Sequence, residues 1–362
     1  MNRPMIEAAD LSKRFDVGGG FLKPSRLLHA VDGVSLSVNK GETFAIVGES
    51  GCGKSTLARL LMRLLTPSSG RITIEGHDIS DIAGADLRQL RRDVQFIFQD
   101  PFSSLNPRLT VAKLVAEPLE AHRPEMTASQ RRAEVARLLS QVGLRPEHMD
   151  RFPHEFSGGQ RQRIGIARAL ASGPRVLIGD EPVSALDVSV QAQVINLLSD
   201  LRDSLGLTLI VIAHDLAVIR QMSDRVAVMY LGRIVETGPT DAIFERPRHP
   251  YTRALLAAIP GPDGGGGAGL AGETPSPIDP PTGCHFRTRC EFARDECART
   301  RPPAEPTGEM SEVACLRWRD IGEATDVMPV APKRSAAAEA RFRLYRDAMG
   351  QTENNSQQGN NR

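Results

Sequence analysis

The sequence predicts an α/β fold with a mainly parallel sheet, and three observations lead to it. Up to about residue 260, short runs of β-branched residues alternate with stretches whose apolar residues recur at helical spacing. A glycine-rich loop at residues 48–55 joins a predicted strand to a predicted helix. Another apolar strand ends in two carboxylates, Asp180 and Glu181. In such folds ligands bind at the carboxyl edge of the sheet, where these polar segments are expected to meet.

The individual strands follow from local patterns. Residues 44–47 form an apolar run, and residues 55–65, with their leucines on one face, predict the helix after it. Residues 70–76 alternate in polarity between two glycines and predict a half-buried strand. Residues 176–178 and 207–213 are apolar and short, as buried parallel strands are.

The remaining segments differ in composition. Residues 99–171 are expected to be mostly helical and inserted between strands, with Thr127 and Gln130 forming a capping box. Residues 1–260 would form the main domain. The next segment, 261–283, belongs to a stretch of 24 residues with 8 glycines and 6 prolines and is predicted to be a linker. It would be followed by a four-cysteine extension at 284–320 and a largely disordered tail at 321–362, in which residues 336–349 favour a helix.

The overall composition excludes several classes of protein. The chain has 362 residues, 40% of them hydrophobic, which is enough for real cores. Its 45 Lys and Arg residues against 44 Asp and Glu give a net charge of +1, which argues against a nucleic-acid partner. No apolar run approaches the roughly 18 residues of a membrane span, and the first ten residues lack a signal-peptide pattern. We therefore expect a cytosolic chain with reduced thiols.

The octapeptide GESGCGKS at residues 48–55 matches the phosphate-binding pattern G-x-x-x-x-G-K-[ST]. Its glycines let backbone N–H groups point at phosphate oxygens, and the N-terminus of the following helix adds partial positive charge. Lys54 is expected to contact the β- and γ-phosphates and the Ser55 hydroxyl to bind Mg²⁺. A plain glycine-rich turn is the alternative interpretation. The residues expected to bind the nucleotide here are Gly48, Ser50, Gly51, Cys52, Gly53, Lys54, Ser55 and Thr56.

Four further side chains are expected at the ends of strands. Asp180 is predicted to hold Mg²⁺ through water, and Glu181 to orient and deprotonate the attacking water. His214 follows the strand at 207–213 and would hydrogen-bond the γ-phosphate or the water. Gln99 follows residues 94–98 and would sense Mg²⁺ and the attacking water. Taken alone, the histidine and the amide are as readily structural as catalytic.

The pentapeptide FSGGQ at residues 156–160 is more specific than the phosphate-binding loop. It is a serine-capped helix start with bare backbone amides, a second anion site about a hundred residues after the first. With it, the chain resembles an ATP-binding cassette (ABC) ATPase over roughly residues 5–320. The order of all motifs carries this resemblance. The five residues alone would also suit an ordinary capped helix.

The resemblance implies a P-loop NTPase of ABC type, with a RecA-like core, a β subdomain, an inserted helical subdomain and the small cysteine-containing extension. It implies that the signature residues Ser157, Gly158, Gly159 and Gln160 complete the ATP site of the opposite subunit. Phe15 would stack on adenine, and Asp187 would lie in the loop at the dimer interface. Two positions depart from the family pattern, Phe156 and Gly179, and only packing consequences are expected from them.

The C-terminal part resembles that of dipeptide, oligopeptide and nickel importer ATPases, on the residues from His249 to Pro260 and from Gly283 to Cys315. This likeness implies a second ABC ATPase subunit, identical or a paralogue, two transmembrane permease subunits and, indirectly, an extracytoplasmic solute-binding protein. The chain would then lie at the cytoplasmic face of the inner membrane. The expected function is ATP hydrolysis that powers peptide import.

Two other function classes compete with this one. A soluble ABC ATPase acting on ribosomes or DNA is one, but the chain has neither the second cassette nor the long coiled-coil insertion that many such proteins carry. The other is a redox module formed by the four-cysteine segment, to which the ATPase would be an accessory. An importer of nickel or another solute is a variant of the main interpretation.

Four of the five cysteines raise the question of a metal. Four thiolates suit either tetrahedral Zn²⁺ or an iron–sulfur cluster. Their spacing, C-x5-C-x6-C-x17-C, lacks the close pairs of structural zinc sites and favours a [4Fe-4S] cluster, as the subfamily resemblance also does. Four free thiols in a proline-rich extension are the alternative. The cysteines concerned are Cys284, Cys290, Cys297 and Cys315.

Overall fold

The computed structural model describes residues 3–18, 26–100, 103–259, 270, 272–308 and 310–322. The predicted helix at 336–349 lies outside the described residues, as do residues 323–362 of the predicted disordered tail and residues 261–269 and 271 of the predicted linker.

The strands and helices alternate along the first 260 residues, as the sequence predicts. The strands are β1 (Ile6–Val17), β2 (Arg26–Val38), β3 (Thr43–Val47), β4 (Ser69–Ile74), β5 (His77–Asp78), β6 (Val94–Ile97), β7 (Val176–Asp180), β8 (Thr208–Ala213), β9 (Arg225–Tyr230), β10 (Arg233–Pro239), β11 (Glu305–Gly308) and β12 (Ser311–Val313). The helices are α1 (Lys54–Leu61), α2 (Gly84–Asp93), α3 (Val111–His122), α4 (Ala128–Gln141), α5 (Gly158–Leu170), α6 (Val188–Leu205), α7 (Leu216–Met222), α8 (Thr240–Glu245), α9 (Pro250–Ala257) and α10 (Asp295–Arg299).

Among the described residues, the strands form two sheets. The smaller sheet has the order β2-β1-β4-β5 and is antiparallel. The larger has the order β11-β12-β10-β9-β3-β8-β7-β6, and its strands from β9 to β6 run parallel. In this sheet β3, which leads into the glycine-rich loop, lies beside β8, and β8 lies beside β7. The three segments predicted to carry chemistry therefore end at one edge.

Both faces of the parallel sheet are buried, which explains why its strands are apolar at successive positions. Ala45 and Val47 of β3 pack into the core cluster that includes the helical insertion. Phe44 and Ile46, on the other face, pack into the cluster shared with α1 and the antiparallel sheet. The alternation follows from the two-residue period of a strand.

The insertion between β6 and β7 is helical, as predicted, and contains α3, α4 and α5 with two short 3-10 turns at Pro146–Asp150 and Pro153–Glu155. Helix α4 begins with the predicted capping box, in which Thr127 Oγ1 accepts from the Gln130 backbone N–H. Apolar residues of all three helices are buried against the core sheet.

The cysteine-containing segment joins the core sheet. Strand β12 pairs with β10 through Glu236 opposite Val313, and β11 adds one strand beyond it. Cys284 and Cys290 pack against the larger core cluster. The segment is thus packed on the cassette by backbone pairing as well as by side chains.

In the part of the chain that the structure describes, no helix is both long enough and apolar enough to cross a membrane.

Candidate active site

The glycine-rich loop folds as its sequence predicts, because two of its glycines occupy positions where a side chain would clash with neighbouring backbone. Gly48 has φ +152°, and a Cβ there would lie 2.1 Å from the Met229 carbonyl oxygen. Gly53 has φ +106°, and its Cβ would meet the Ala30 carbonyl oxygen at the same distance. The loop backbone is therefore pressed against neighbouring strands. Ser50 and Gly51 are exposed at the loop tip.

Helix α1 starts at Lys54, whose ammonium is held over the loop. Its Nζ donates to the carbonyl oxygens of Gly48 at 2.7 Å and Glu49 at 2.9 Å. Cys52 is buried, and burial raises the pKa of its thiol, so it is a neutral packing residue. Thr56 is half-buried in the first turn of the helix. A cation, bare amides and a helix N-terminus together form a cradle for phosphate.

Ser55 and Asp180 meet at the edge of the sheet. The Ser55 hydroxyl donates to Asp180 Oδ1 at 3.0 Å, although 125 residues separate them. Burial is the main cause that raises the pKa of Asp180, and the neighbouring carboxylate of Glu181 adds to it. A hydroxyl and a carboxylate are oxygen ligands suited to Mg²⁺, which usually needs only one or two carboxylates beside substrate phosphates. The donor set therefore fits this ion.

Glu181 lies between the two other residues predicted for this edge. Gln99 Nε2 donates to Glu181 Oε2 at 2.8 Å. His214 Nδ1 lies 3.1 Å from Glu181 Oε1. The backbone of Glu181 is left-handed, with φ +49°, and its N–H donates to the Ile212 carbonyl at 2.8 Å. The structure thus brings the amide, the imidazole and the carboxylate together, as the strand-end argument predicts.

Phe15 lies on the antiparallel sheet. It is half-buried on β1, opposite Leu28 of β2. The Lys13 ammonium lies 5.2 Å from its ring centroid. Stacking of Phe15 on adenine stays a prediction.

The signature segment is a capped helix start. Ser157 Oγ accepts from the Gln160 backbone N–H at 3.3 Å, and Gln160 Oε1 accepts from the Ser157 N–H at 3.1 Å. A Cβ on Gly159 would lie 2.3 Å from Val190 Cγ1, so glycine lets α5 approach the start of α6. Asp187 is the exposed N-terminal flank of α6, and the next residue, Val188, is 82% exposed.

The two departures from the family pattern have packing explanations. Phe156 is buried and contacts His148, with ring centroids 5.4 Å apart. A Cβ on Gly179 would lie 3.1 Å from Pro182 Cγ, so the small residue leaves room for the proline after the two carboxylates.

The sequence matches known proteins over most of its length. Residues 31–184 match the family model "ABC transporter", and residues 235–297 match the model "Oligopeptide/dipeptide transporter, C-terminal region". The oligopeptide transport ATP-binding protein OppF of Salmonella typhimurium is 50% identical over 321 residues, which are 86% of this chain and 96% of that protein. The chain belongs to the ATP-binding subunits of ABC transporters.

Two further comparisons agree with this assignment. The dipeptide transport ATP-binding protein DppF of Escherichia coli is 47% identical over 319 residues, which are 87% of this chain and 95% of that protein. A solved ATP-binding cassette, a dimer in a post-hydrolysis state with ADP and Pi, is 29% identical with a TM-score of 0.58, over 65% of this chain and 99% of that one. The predicted family, ABC-type fold and ATPase class are confirmed.

The predicted metal centre at the C-terminal cysteines of this ABC ATPase finds no support in the structure. All four of the C-terminal segment are free thiols lining one small pocket. Burial raises the pKa of Cys290 to about 11 and of Cys315 to about 12. Among the described residues, no three His, Cys, Asp or Glu side chains are grouped as a metal site. The iron–sulfur cluster and its zinc alternative therefore lack support.

The sequence did not predict a contact between the C-terminal part of the cassette and the phosphate-binding loop at residues 48–55, which is called the P-loop below. The Tyr251 hydroxyl accepts from the Glu49 backbone N–H at 2.8 Å. Tyr251 is fully buried in α9, whose start is capped by His249 Nδ1 accepting from the Tyr251 N–H at 3.0 Å. The available signal was the His-Pro-Tyr triplet at residues 249–251.

Proposed function

We propose that this ABC ATPase powers the import of di- or oligopeptides through an ABC transporter complex. The observation that carries the ATPase chemistry is the convergence of Gln99 and His214 on Glu181, beside the Ser55–Asp180 pair. The peptide class is supported by relatives that are 47% to 50% identical and are named for oligopeptide and dipeptide transport.

In this proposal the P-loop amides and Lys54 bind the phosphates of ATP, while Ser55, Gln99 and Asp180 would hold Mg²⁺, with Asp180 acting through water. Bound Mg²⁺ would neutralise charge on the β- and γ-phosphates. Glu181 accepts a proton from the attacking water, whose oxygen bonds to the γ-phosphorus as the bond to the β–γ bridging oxygen breaks. Gln99 and His214 hold the Glu181 carboxylate from both of its oxygens and orient it toward that water.

A complete site requires a second ATPase subunit, either identical or a paralogue. The signature residues Ser157 to Gln160 would contact the γ-phosphate bound by the partner subunit. Exposure of Ser157, Asp187 and Val188 supports this arrangement, since an 82% exposed valine beside a capped helix start favours an interface.

The complex would contain two permease subunits, and the permease contact on this chain would be a groove next to Gln99. Leu64 and Phe98 are 48% and 47% exposed there, and the groove is also lined by Pro118 of α3 and Arg168 of α5. Apolar side chains exposed between two parts of a cassette favour a protein partner. The subunit would thereby be held at the cytoplasmic face of the membrane, and a solute-binding protein would deliver the peptide without contacting it.

The test is reconstitution with the permease and solute-binding proteins in lipid vesicles. We expect ATP-dependent uptake of labelled di- or oligopeptides and ATP hydrolysis that rises when the peptide-loaded binding protein is added. The Lys54→Ala variant, which lacks the cation over the P-loop, should abolish both. Uptake of Ni²⁺ but not of peptides would overturn the substrate class.

A further inference from the structure

The second residue of the P-loop is bound by an arginine from the cysteine-containing segment. Arg289 Nη1 donates to Glu49 Oε2 at 2.7 Å, and Nη2 donates to Glu49 Oε1 at 2.9 Å. The two residues are 240 positions apart in the chain. Two parallel N–H···O bonds between a guanidinium and a carboxylate fix both position and orientation.

Arg289 is held from several sides. Its side chain is only 4% exposed, while that of Glu49 is 24% exposed. Its Nη1 also lies within donating distance of the Tyr230 hydroxyl, at 3.5 Å, and of Thr274 Oγ1, at 3.4 Å. The ion pair with Glu49 is the main cause that raises the pKa of Arg289 above its usual value. A guanidinium enclosed in this way has little freedom to leave the carboxylate.

The segment that carries Arg289 is anchored by an aromatic cluster. Phe286 packs against Tyr230 and Tyr251, with ring centroids 5.2 and 5.3 Å away. Tyr251 in turn accepts the Glu49 backbone N–H. The backbone of Glu49 is thus held by α9 and its side chain by residue 289, both through one buried cluster.

The charge of Glu49 makes this contact important for nucleotide binding. A carboxylate one residue inside a phosphate-binding loop repels a triphosphate unless a cation neutralises it. The pairing is well shielded from water on the arginine side, so its loss would leave a negative charge that solvent screens only in part.

We propose that Arg289 is a positioning residue for nucleotide binding, which neutralises Glu49 and holds the P-loop without touching ATP. The inference rests on the proposed role of the P-loop in binding ATP. It gives the cysteine-containing segment a function within its own subunit: any displacement of this segment changes the affinity of the P-loop for nucleotide.

The test is the affinity of the full-length subunit for MgATP, measured by titration calorimetry on wild type, Arg289→Met, Glu49→Gln and the double variant. Arg289→Met should weaken binding by about tenfold, a coupling typical of linked sites. Glu49→Gln should stay within about threefold of wild type, because it removes the charge that needs neutralising. The double variant should recover to the level of Glu49→Gln.

Controls separate this inference from the assignment of the ATP site. Arg287→Met alters a nearby arginine that bonds Thr282, and it should bind MgATP as wild type does. Lys54→Ala should lose binding, and if it does not, the P-loop assignment itself fails. Unchanged affinity in Arg289→Met, with binding lost in Lys54→Ala, would overturn the role of Arg289. A double variant as weak as Arg289→Met would also overturn it, because a merely structural arginine is not rescued by removing the charge of Glu49.

Discussion

The Glu181 carboxylate lies 3.1 Å from the Nδ1 atom of His214, at the ends of two neighbouring strands. The contact follows from sheet register, since Asp180 of β7 is paired with Ile212 of β8. Glu181 directly follows the last residue of β7, and His214 directly follows Ala213, the last residue of β8, so both side chains lie at the carboxyl edge of the sheet. A carboxylate held in this way is positioned before any substrate arrives.

Replacing Glu181 with glutamine should lower ATP turnover by about a hundredfold or more, because the amide keeps the size but cannot accept a proton. Affinity for MgATP should remain near that of wild type. The measurement is phosphate release from the reconstituted complex at saturating ATP. Glu245→Gln, at an exposed carboxylate of α8, is the matched control and should be fully active. Wild-type turnover in the Glu181 variant would exclude it as the base.

Ser157→Arg should leave MgATP binding by the isolated subunit unchanged and prevent ATP-dependent dimerisation. A bulky cation at the exposed start of α5 would block an approaching phosphate-bearing surface while sparing the chain's own P-loop. Light scattering with ATP in a Glu181→Gln background measures the dimer. Ser129→Arg, in the first turn of α4, serves as control and should dimerise. Loss of binding by the monomer would show that the signature acts within one chain.

Asp180→Asn should raise the melting temperature of the nucleotide-free and Mg²⁺-free protein by up to a few degrees at pH 7. The pKa of Asp180 is higher in the folded than in the unfolded state, so its ionised form opposes folding above the unfolded-state pKa. The gain should shrink toward pH 4 and below, where the carboxyl is protonated in both states. ATPase activity should be lost. Thermal scans at several pH values measure the effect, and a lower melting temperature at pH 7 would contradict it.

His249→Asn should reduce the sensitivity of the fold to mild acid. Burial lowers the pKa of His249 to about 3, so the folded state stays neutral there while the unfolded state takes up a proton below about pH 6.5. Wild type should therefore lose about 2 kcal/mol more unfolding free energy than the variant between pH 7 and pH 5.

Urea unfolding at the two pH values measures this difference. Asparagine keeps an acceptor for the N–H of Tyr251, so the start of α9 is expected to survive the substitution. Equal pH dependence in the two proteins would show that His249 is not the group responsible.

Much of the local structure is encoded within a few residues. The capping box of Thr127 with Gln130 and that of Ser157 with Gln160 depend on contacts within one helical turn. Short-range patterns of this kind can be recognised in the sequence without knowledge of the packing.

The meeting of Gln99 with Glu181, 82 residues apart, was predicted because parallel strands end at a common edge. Because the geometry of a parallel sheet is regular, locally predicted strands also predict contacts between residues that are far apart in the chain. By contrast, the four cysteines do line one pocket, but their spacing does not decide whether that pocket holds a metal, and the predicted cluster found no support.

The sequence by itself determined the nucleotide-binding chemistry, because each motif is a local backbone geometry with a fixed set of side chains. Tertiary structure alone decided that Arg289 meets Glu49 and that β12 extends the core sheet through β10. These contacts join segments more than 70 residues apart, and they depend on how an aromatic cluster and a sheet edge happen to pack. No periodicity or spacing encodes such packing, since many arrangements bury the same apolar residues.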